Sequence, residues 1–146
     1  MATLAVDKPR VFETQGDHPI YNELSAVASD IIYAGAAVSL DNTGNANPLT
    51  VAHTTNGFAG FCVEQCDNSA GAAGAKKVKV LAQGFAKLTV VGASAQANEN
   101  DAVYALDDDV FTLSASSSAL QIGKVYRWIS GTTCIVFFQA ASLRSI

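Results

Sequence analysis

Turn-forming residues recur at short intervals from Ile31 onward, and this spacing limits what the chain can fold into. The segments 41–45, 107–109 and 130–132 are rich in Asp, Asn, Ser, Thr and Gly, which adopt tight turns readily. The runs between them are short and apolar, and several alternate polar with apolar residues, as strands with one wet face do. No helical period is sustained over three turns. The pattern predicts an all-β fold, a small β-barrel or sandwich.

The first 30 residues differ from the rest of the chain. They mix charged residues, Pro9, Gly16 and Pro19 with scattered apolar residues, and neither the helical nor the strand period persists. We interpret residues 1–30 as an extended N-terminal arm with at most one short strand, and residues 31–146 as the barrel or sandwich domain. Extended arms of this kind commonly become ordered on the surface of another chain.

Charge and hydropathy limit the classes of partner. Hydrophobic residues make up 49% of the chain and charged residues only 15%, against about 25% charged in an average soluble domain. A surface with so little charge favours burial against a partner or further copies of the chain. The net charge of −4 lacks the basic excess of a nucleic-acid-binding domain. No apolar run reaches the roughly 18 residues of a membrane-spanning helix. We therefore expect no nucleic acid and no membrane as partner.

A search for reactive groups gives little. Cys62 or Ser94 paired with His53 would supply the elements of a hydrolase, but no local motif supports such a pair. Cys62 and Cys66 are separated by three residues rather than the two typical of a zinc knuckle, and no second Cys or His pair accompanies them. Together with Cys134 they are interpreted as buried structural thiols. We expect no catalytic, metal-binding or cofactor-binding residues.

Three clusters of charged or aromatic residues remain. The acidic residues 107–109 are interpreted as the solvated tip of a hairpin rather than a calcium loop. The lysines within residues 76–79 are assigned to the wet face of an edge strand, where lysine opposes aggregation. Tyr126, Arg127 and Trp128 predict a subunit interface, because these residue types dominate interface hot spots. Tyr126 and Trp128 would share one strand face, so a core position and a carbohydrate-binding surface are the alternatives.

Three stretches of the chain together resemble one protein family. They are residues 32–46 (IYAGAAVSLD followed by GNA), residues 60–84 (GFCVE followed by VKV and a glycine) and residues 100–138 (NDAVY followed by IGKV and the last strand). Their order resembles that of the small capsid cement, or head decoration, proteins of tailed bacteriophages. Asn100 stands where similar sequences often carry Gly, and Asn tolerates the same left-handed turn.

The resemblance implies a small β-barrel or sandwich on the outside of a phage head, where it binds the major capsid protein and stabilises the expanded lattice. It also implies self-association, with a homotrimer favoured over a dimer, and assembly in the bacterial host cytoplasm. The arm would contact the capsid through Pro9, Arg10, Val11, Phe12, Pro19, Ile20 and Tyr21. The alternatives are another virion β-module, in the tail or baseplate, and a carbohydrate-binding β-domain.

Overall fold

The computed structural model describes residues 3–13, 20–50, 57–115 and 119–144, and the regular secondary structure of this part of the chain is almost entirely β-strand. Short 3-10 turns lie at Gln96–Asn98 and Ala141–Leu143. The strands are β1 (Phe12–Glu13), β2 (Ile20–Ser25), β3 (Asp30–Ile32), β4 (Ala37–Leu40), β5 (Ala46–Pro48), β6 (Phe58–Cys62), β7 (Cys66–Asn68), β8 (Lys77–Val91), β9 (Ala102–Ala105), β10 (Phe111–Thr112), β11 (Leu120–Ser130) and β12 (Thr133–Gln139). The predicted all-β fold is confirmed.

Five of these strands close into a barrel, in the order β10–β9–β11–β12–β8, with β10 returning to β8. Neighbours are antiparallel except at the closure, where β10 runs parallel to β8 and Phe111 lies beside Val90. Closure removes the unpaired edges that a flat sheet would expose. The hairpin predicted around the acidic residues 107–109 is present as β9–β10, and the turn predicted at residues 130–132 joins the antiparallel strands β11 and β12.

The long strand β8 organises the rest of the sheet. It spans 15 residues. Its second half pairs with β12, and its first half pairs with β2 on one side and β6 on the other. From β6 the sheet continues through β4 to β5. The prediction of an edge strand for the lysines of residues 76–79 is wrong, since β8 has partners on both sides, although these lysines are exposed.

Alternation along the strands divides the apolar residues between two cores. The barrel core centres on Phe61, which is fully buried and whose ring contacts Phe58, Phe111 and Phe138, with centroids 5.6, 5.9 and 4.8 Å away. The smaller core lies under the first half of β8 and contains Ala26, Ile32, Ala36, Val38, Ala46, Ala59, Cys62, Cys66, Val78 and Val80. A closed five-stranded barrel is too narrow for a ligand channel, so side chains fill its interior.

Two turns are built as the sequence predicts. In the turn between β4 and β5, the carboxylate of Asp41 accepts hydrogen bonds from the backbone N–H groups of Thr43 and Asn45, at 2.8 and 2.9 Å. Asn100 has a φ of +76°, in the left-handed region that Gly would otherwise be needed to reach. A left-handed turn at Asn100 is what the family resemblance implies.

The N-terminal residues contribute to the same sheet as the barrel. β1 lies antiparallel to β8, with Phe12 beside Ala86, and β2 pairs with β8 from Ile20 to Ser25. The segment interpreted as an extended arm with at most one short strand therefore supplies two strands to the sheet. The strand period was not visible in the sequence because β1 has only two residues and the first four residues of β2 are all exposed.

Candidate protein-binding face

Three aromatic rings from three neighbouring strands meet on the outer wall of the barrel. We call Phe85 of β8, Tyr126 of β11 and Phe137 of β12 the aromatic face. Alternation explains the position of the two phenylalanines, because their neighbours Ala86, Val136 and Phe138 point into the core. Phe137 lies beside Phe85 in the strand register, with the ring centroids 5.3 Å apart, and the Tyr126 ring is 4.7 Å from that of Phe85.

A β-bulge sets the direction of the tyrosine. The register of β11 against β12 shifts between Val125 and Arg127, which leaves Tyr126 as the extra residue. Tyr126 is therefore 57% exposed, whereas Trp128 packs against the barrel core and its indole N–H donates to the Gly131 carbonyl at 2.9 Å. The expectation that Tyr126 and Trp128 share one strand face is wrong, because the bulge breaks the alternation between them.

Grooves and cations surround the aromatic face. One groove of about 340 Å³ is lined by the three rings together with Asn100, Lys124 and Val125. A second groove of about 340 Å³ beside it is lined by Gln121, Gly123, Lys124, Phe137, Gln139 and Arg144. The Arg144 guanidinium is held in place by the carbonyls of Gln121 and Gln139, at 2.6 and 2.8 Å. Lys124 and Arg144 thus give this apolar surface a cationic border.

The acidic turn Asp107–Asp109 binds the chain's own N-terminal segment, residues 3–12. The Thr3 and Leu4 N–H groups donate to one carboxylate oxygen of Asp108, at 2.7 and 3.3 Å, and the Thr3 hydroxyl donates to Asp107. Asp108 is only 1% exposed, and this burial raises the pKa of its carboxyl above the ordinary value, although the two N–H donors oppose the shift. The interpretation of this turn as a solvated hairpin tip is wrong, because the N-terminal segment covers Asp108 and binds its carboxylate.

Arg10 fixes the middle of the N-terminal segment. Its side chain is 6% exposed and donates to the Asp109 carboxylate at 2.8 Å and to the Gly35 carbonyl at 2.7 Å. Its guanidinium also stacks over the rings of Phe61 and Phe111, 5.7 and 5.4 Å from their centroids. A buried arginine with an ion pair, a carbonyl and two rings around it is a structural anchor of its own chain.

The residues predicted to contact a capsid differ in whether they pack inside this chain or are exposed. Arg10 and the Phe12 ring, which packs against Phe61 and Phe138, are used inside this chain. Pro9, Val11, Ile20 and Tyr21 are exposed, whereas Pro19 lies outside the described residues. Of the subunit-interface residues, Tyr126 and Arg127 are exposed and Trp128 is half-buried.

Replacing Gly35 with Ala is expected to detach the N-terminal segment. Gly35 has a φ of +90°, and an added Cβ would lie 1.7 Å from the Lys8 carbonyl oxygen. The left-handed conformation alone costs about 1–2 kcal/mol with a side chain, and the overlap adds about 1–3 kcal/mol. Gly44→Ala is the matched control, because Gly44 has a φ of +87° but no atom within 4 Å of the added Cβ. Trypsin cleavage after Arg10 should accelerate in Gly35→Ala only; equal rates in both variants would contradict the contact.

Of the five residues considered for a hydrolase or metal site, the structure describes the three cysteines and Ser94. Cys62, Cys66 and Cys134 are buried free thiols. Burial, followed by the neighbouring Cys66, raises the pKa of Cys62 to about 12, which disfavours the nucleophilic thiolate. Ser94 is exposed on a loop, and His53 lies outside the described residues.

Two further features of the described residues bear on ligands. In none of them do three His, Cys, Asp or Glu side chains come together as a metal ion would require. No helix among them is long and apolar enough to cross a bilayer.

Comparison with known proteins identifies no relative. No family model, no curated protein and no solved structure matches this chain. Its function has to be argued from the chemistry of its surface.

Proposed function

We propose that this chain is a non-catalytic decoration protein that binds the outer surface of a phage capsid and stabilises the expanded lattice of the major capsid protein. The observation that carries the proposal is the aromatic face, in which the exposed Tyr126 stands beside the half-buried Phe85 and Phe137 on the wall of a closed barrel. The sequence resemblance to cement proteins supplies the identity of the partner.

The exposure of Tyr126 supports a role in binding rather than in stability. A tyrosine that is 57% exposed gains little from the fold of its own chain. Aromatic side chains dominate the binding energy of protein interfaces, particularly when they sit on rigid elements and lose little entropy on binding. Phe85, Tyr126 and Phe137 stand on three hydrogen-bonded strands and satisfy both conditions.

The cationic border indicates the chemistry of the partner surface. Lys124 and Arg144 line the grooves, and Lys87 stands two residues from Phe85 on the same face of β8. No carboxylate is among the described residues that line these two grooves. An acidic surface with exposed apolar residues would complement this arrangement.

Repetition compensates for a modest contact area. A capsid presents the same site many times, so copies that also contact one another gain affinity through avidity. The low charged fraction of the chain, 15%, suits this kind of dense packing. The homotrimer favoured by the resemblance, and the dimer as its alternative, stay predictions.

Binding to expanded heads that lack the protein tests the proposal. The purified chain should co-sediment with such heads, in a copy number that approaches that of the major capsid protein. Tyr126→Ala should weaken binding about thirtyfold, the loss expected for a hot-spot residue of about 2 kcal/mol. Leu106→Ala is the control, because Leu106 is an exposed apolar residue outside the aromatic face.

Two outcomes would contradict this function in different ways. Failure of the wild-type chain to bind expanded heads would remove the capsid as partner. Full binding by Tyr126→Ala, with its melting temperature unchanged, would leave the capsid as partner but exclude the aromatic face as the contact.

A further inference from the structure

Among the described residues, β2 is an edge strand, and none of them pairs with the outer side of residues 20–24. Within the described part of the chain it pairs with β8 alone, and its residues 20–23 are exposed. Natural edge strands are commonly protected by lysine, proline or a bulge that turns the edge away. The sequence of β2, IYNELS, contains neither lysine nor proline, and its register irregularity lies at its first residue. The edge is therefore suited to pairing with another strand.

The alternation of hydrogen bonds along β2 shows which of its backbone groups point away from β8. The Ala26 N–H donates to the Lys76 carbonyl of the chain leading into β8, at 2.9 Å. Since backbone groups alternate in direction along a strand, Leu24 and Asn22 also face β8. The N–H and C=O groups of Tyr21 and Glu23 consequently point away from the sheet.

A second strand limits how much of this edge is available. Ala26 forms a parallel bridge with Ala46 of β5, and the Val27 N–H donates to the Ala46 carbonyl at 2.9 Å. β5 therefore occupies the outer side where β2 ends. The open stretch runs from Ile20 to Leu24, and Asn22 is its centre.

We propose that a second copy of this chain pairs its own β2 antiparallel to this edge, about a two-fold axis at Asn22. The outward groups of Tyr21 would then exchange two hydrogen bonds with Glu23 of the second copy, and the symmetric pair would add two more. The two barrels would share one continuous sheet through β8, β2, the second β2 and the second β8. The proposal concerns the free protein and does not depend on capsid binding.

The side chains favour this register over its neighbour. An axis at Asn22 places Ile20 opposite Leu24 of the second copy, so that apolar meets apolar, and it places Tyr21 opposite Glu23. An axis at Glu23 would instead place two carboxylates opposite each other, which is destabilising. The Lys79 ammonium lies over the Tyr21 ring, 4.4 Å from its centroid, so the opposing Glu23 would also meet a positive charge.

Cysteine substitution tests both the contact and the register. With the two-fold axis at Asn22, the Asn22 residues of the two copies lie opposite each other as a non-hydrogen-bonded pair. The Cα atoms of such a pair are about 4.5 Å apart, within the range that a disulfide spans. Asn22→Cys should therefore form a covalent dimer on oxidation with diamide, and Glu23→Cys should not. The three native cysteines are buried, so the wild-type chain provides the background. Crosslinking through Glu23→Cys but not Asn22→Cys would overturn the proposal.

A proline at the outward-facing position tests the backbone contact. Glu23→Pro removes an N–H that does not bond to β8, and edge strands tolerate proline at such a position. Each copy loses one N–H donor, so two of the four hydrogen bonds between the copies are lost. Light scattering should give twice the 15.1 kDa of one chain for the wild type. The dimer dissociation constant should rise at least about tenfold in Glu23→Pro and less in Glu23→Ala, which keeps the N–H.

Several results would overturn this contact. They are a wild-type chain that stays monomeric at its highest soluble concentration, a dimer that Glu23→Pro leaves unchanged, and a trimer that Asn22→Cys does not crosslink. If Glu23→Pro lowers the melting temperature of the monomer, the Asn22→Cys crosslink decides alone. None of these results bears on whether the aromatic face binds a capsid.

Discussion

Arg10→Ala is expected to lower the free energy of unfolding by about 3–5 kcal/mol, as removal of one partner from a buried ion pair does. The substitution leaves the Asp109 carboxylate, 15% exposed, without its guanidinium, and it frees the Gly35 carbonyl that Arg10 bonds. It also removes the cation that stacks over Phe61 and Phe111. Urea denaturation followed by tryptophan fluorescence and circular dichroism measures the change.

Lys8→Ala is the matched control for this prediction. Lys8 contacts the same carboxylate, at 3.0 Å, but its side chain is 56% exposed. Exposed ion pairs contribute about 0–1 kcal/mol because water and salt screen them. The two variants therefore remove the same formal charge from the same partner, but only Arg10→Ala removes a buried cation together with its carbonyl and ring contacts. Equal losses in both would show that the structural role of Arg10 has been misassigned.

Phe61→Ala is expected to lower stability by about 3–5 kcal/mol, the cost of removing a fully buried aromatic ring. Its ring lies between those of Phe12, Phe58, Phe111 and Phe138, so the cavity would be lined by side chains that cannot collapse without leaving their strands. For a chain of this size the melting temperature should fall by about 10 °C. Thermal unfolding followed by circular dichroism measures it.

Phe61→Leu provides the comparison for the barrel core. Leucine keeps most of the volume and all of the apolar character, and conservative changes of this kind usually cost less than about 1.5 kcal/mol. An Ala variant as stable as the Leu variant would mean that the aromatic cluster is not the centre of the core.

The fold class could be predicted from the sequence because local chemistry determines it. Turns such as Asp41–Asn45 depend on side chains that bond their own backbone, and those bonds are present. Alternation in a half-exposed strand is equally local, so the runs on either side of Ser130–Thr132 were assigned correctly to a hairpin. Such features need no knowledge of distant residues.

The acidic turn and Arg10 could not be placed in the same way. A run of three aspartates has the same local pattern whether water or the chain's own N-terminus solvates it. Their partners stand 99 to 105 residues away in sequence, and only the closed barrel brings them together. The one signal available was an N-terminal segment with two cations, Lys8 and Arg10, in a chain with few charges.

Tyr126 is the one residue of the aromatic face that the sequence singled out, and its role in a subunit interface stays a prediction. The residue types at 126–128 indicated an interface, and Tyr126 and Arg127 are exposed. The bulge that separates Tyr126 from Trp128 has no mark in a periodic pattern, because one inserted residue shifts the alternation without changing composition. Phe85 and Phe137 were missed because their strands carry apolar residues on both faces. In sequence, such a strand cannot be distinguished from one that is buried on both faces.

The attachment of the N-terminus to the acidic turn has a consequence during synthesis. The ribosome must add 99 residues after Arg10 before Asp109 exists, which takes on the order of 5–20 s at about 5–20 residues per second. Throughout that interval Arg10 lacks its carboxylate partner, and Phe12 lacks the Phe138 ring until still later. When several ribosomes translate one message, a completed turn on one chain lies near the waiting N-terminus of another. The spacing of nascent chains, as well as the strength of the contacts, then governs whether each barrel closes with its own segment or exchanges it with a neighbour.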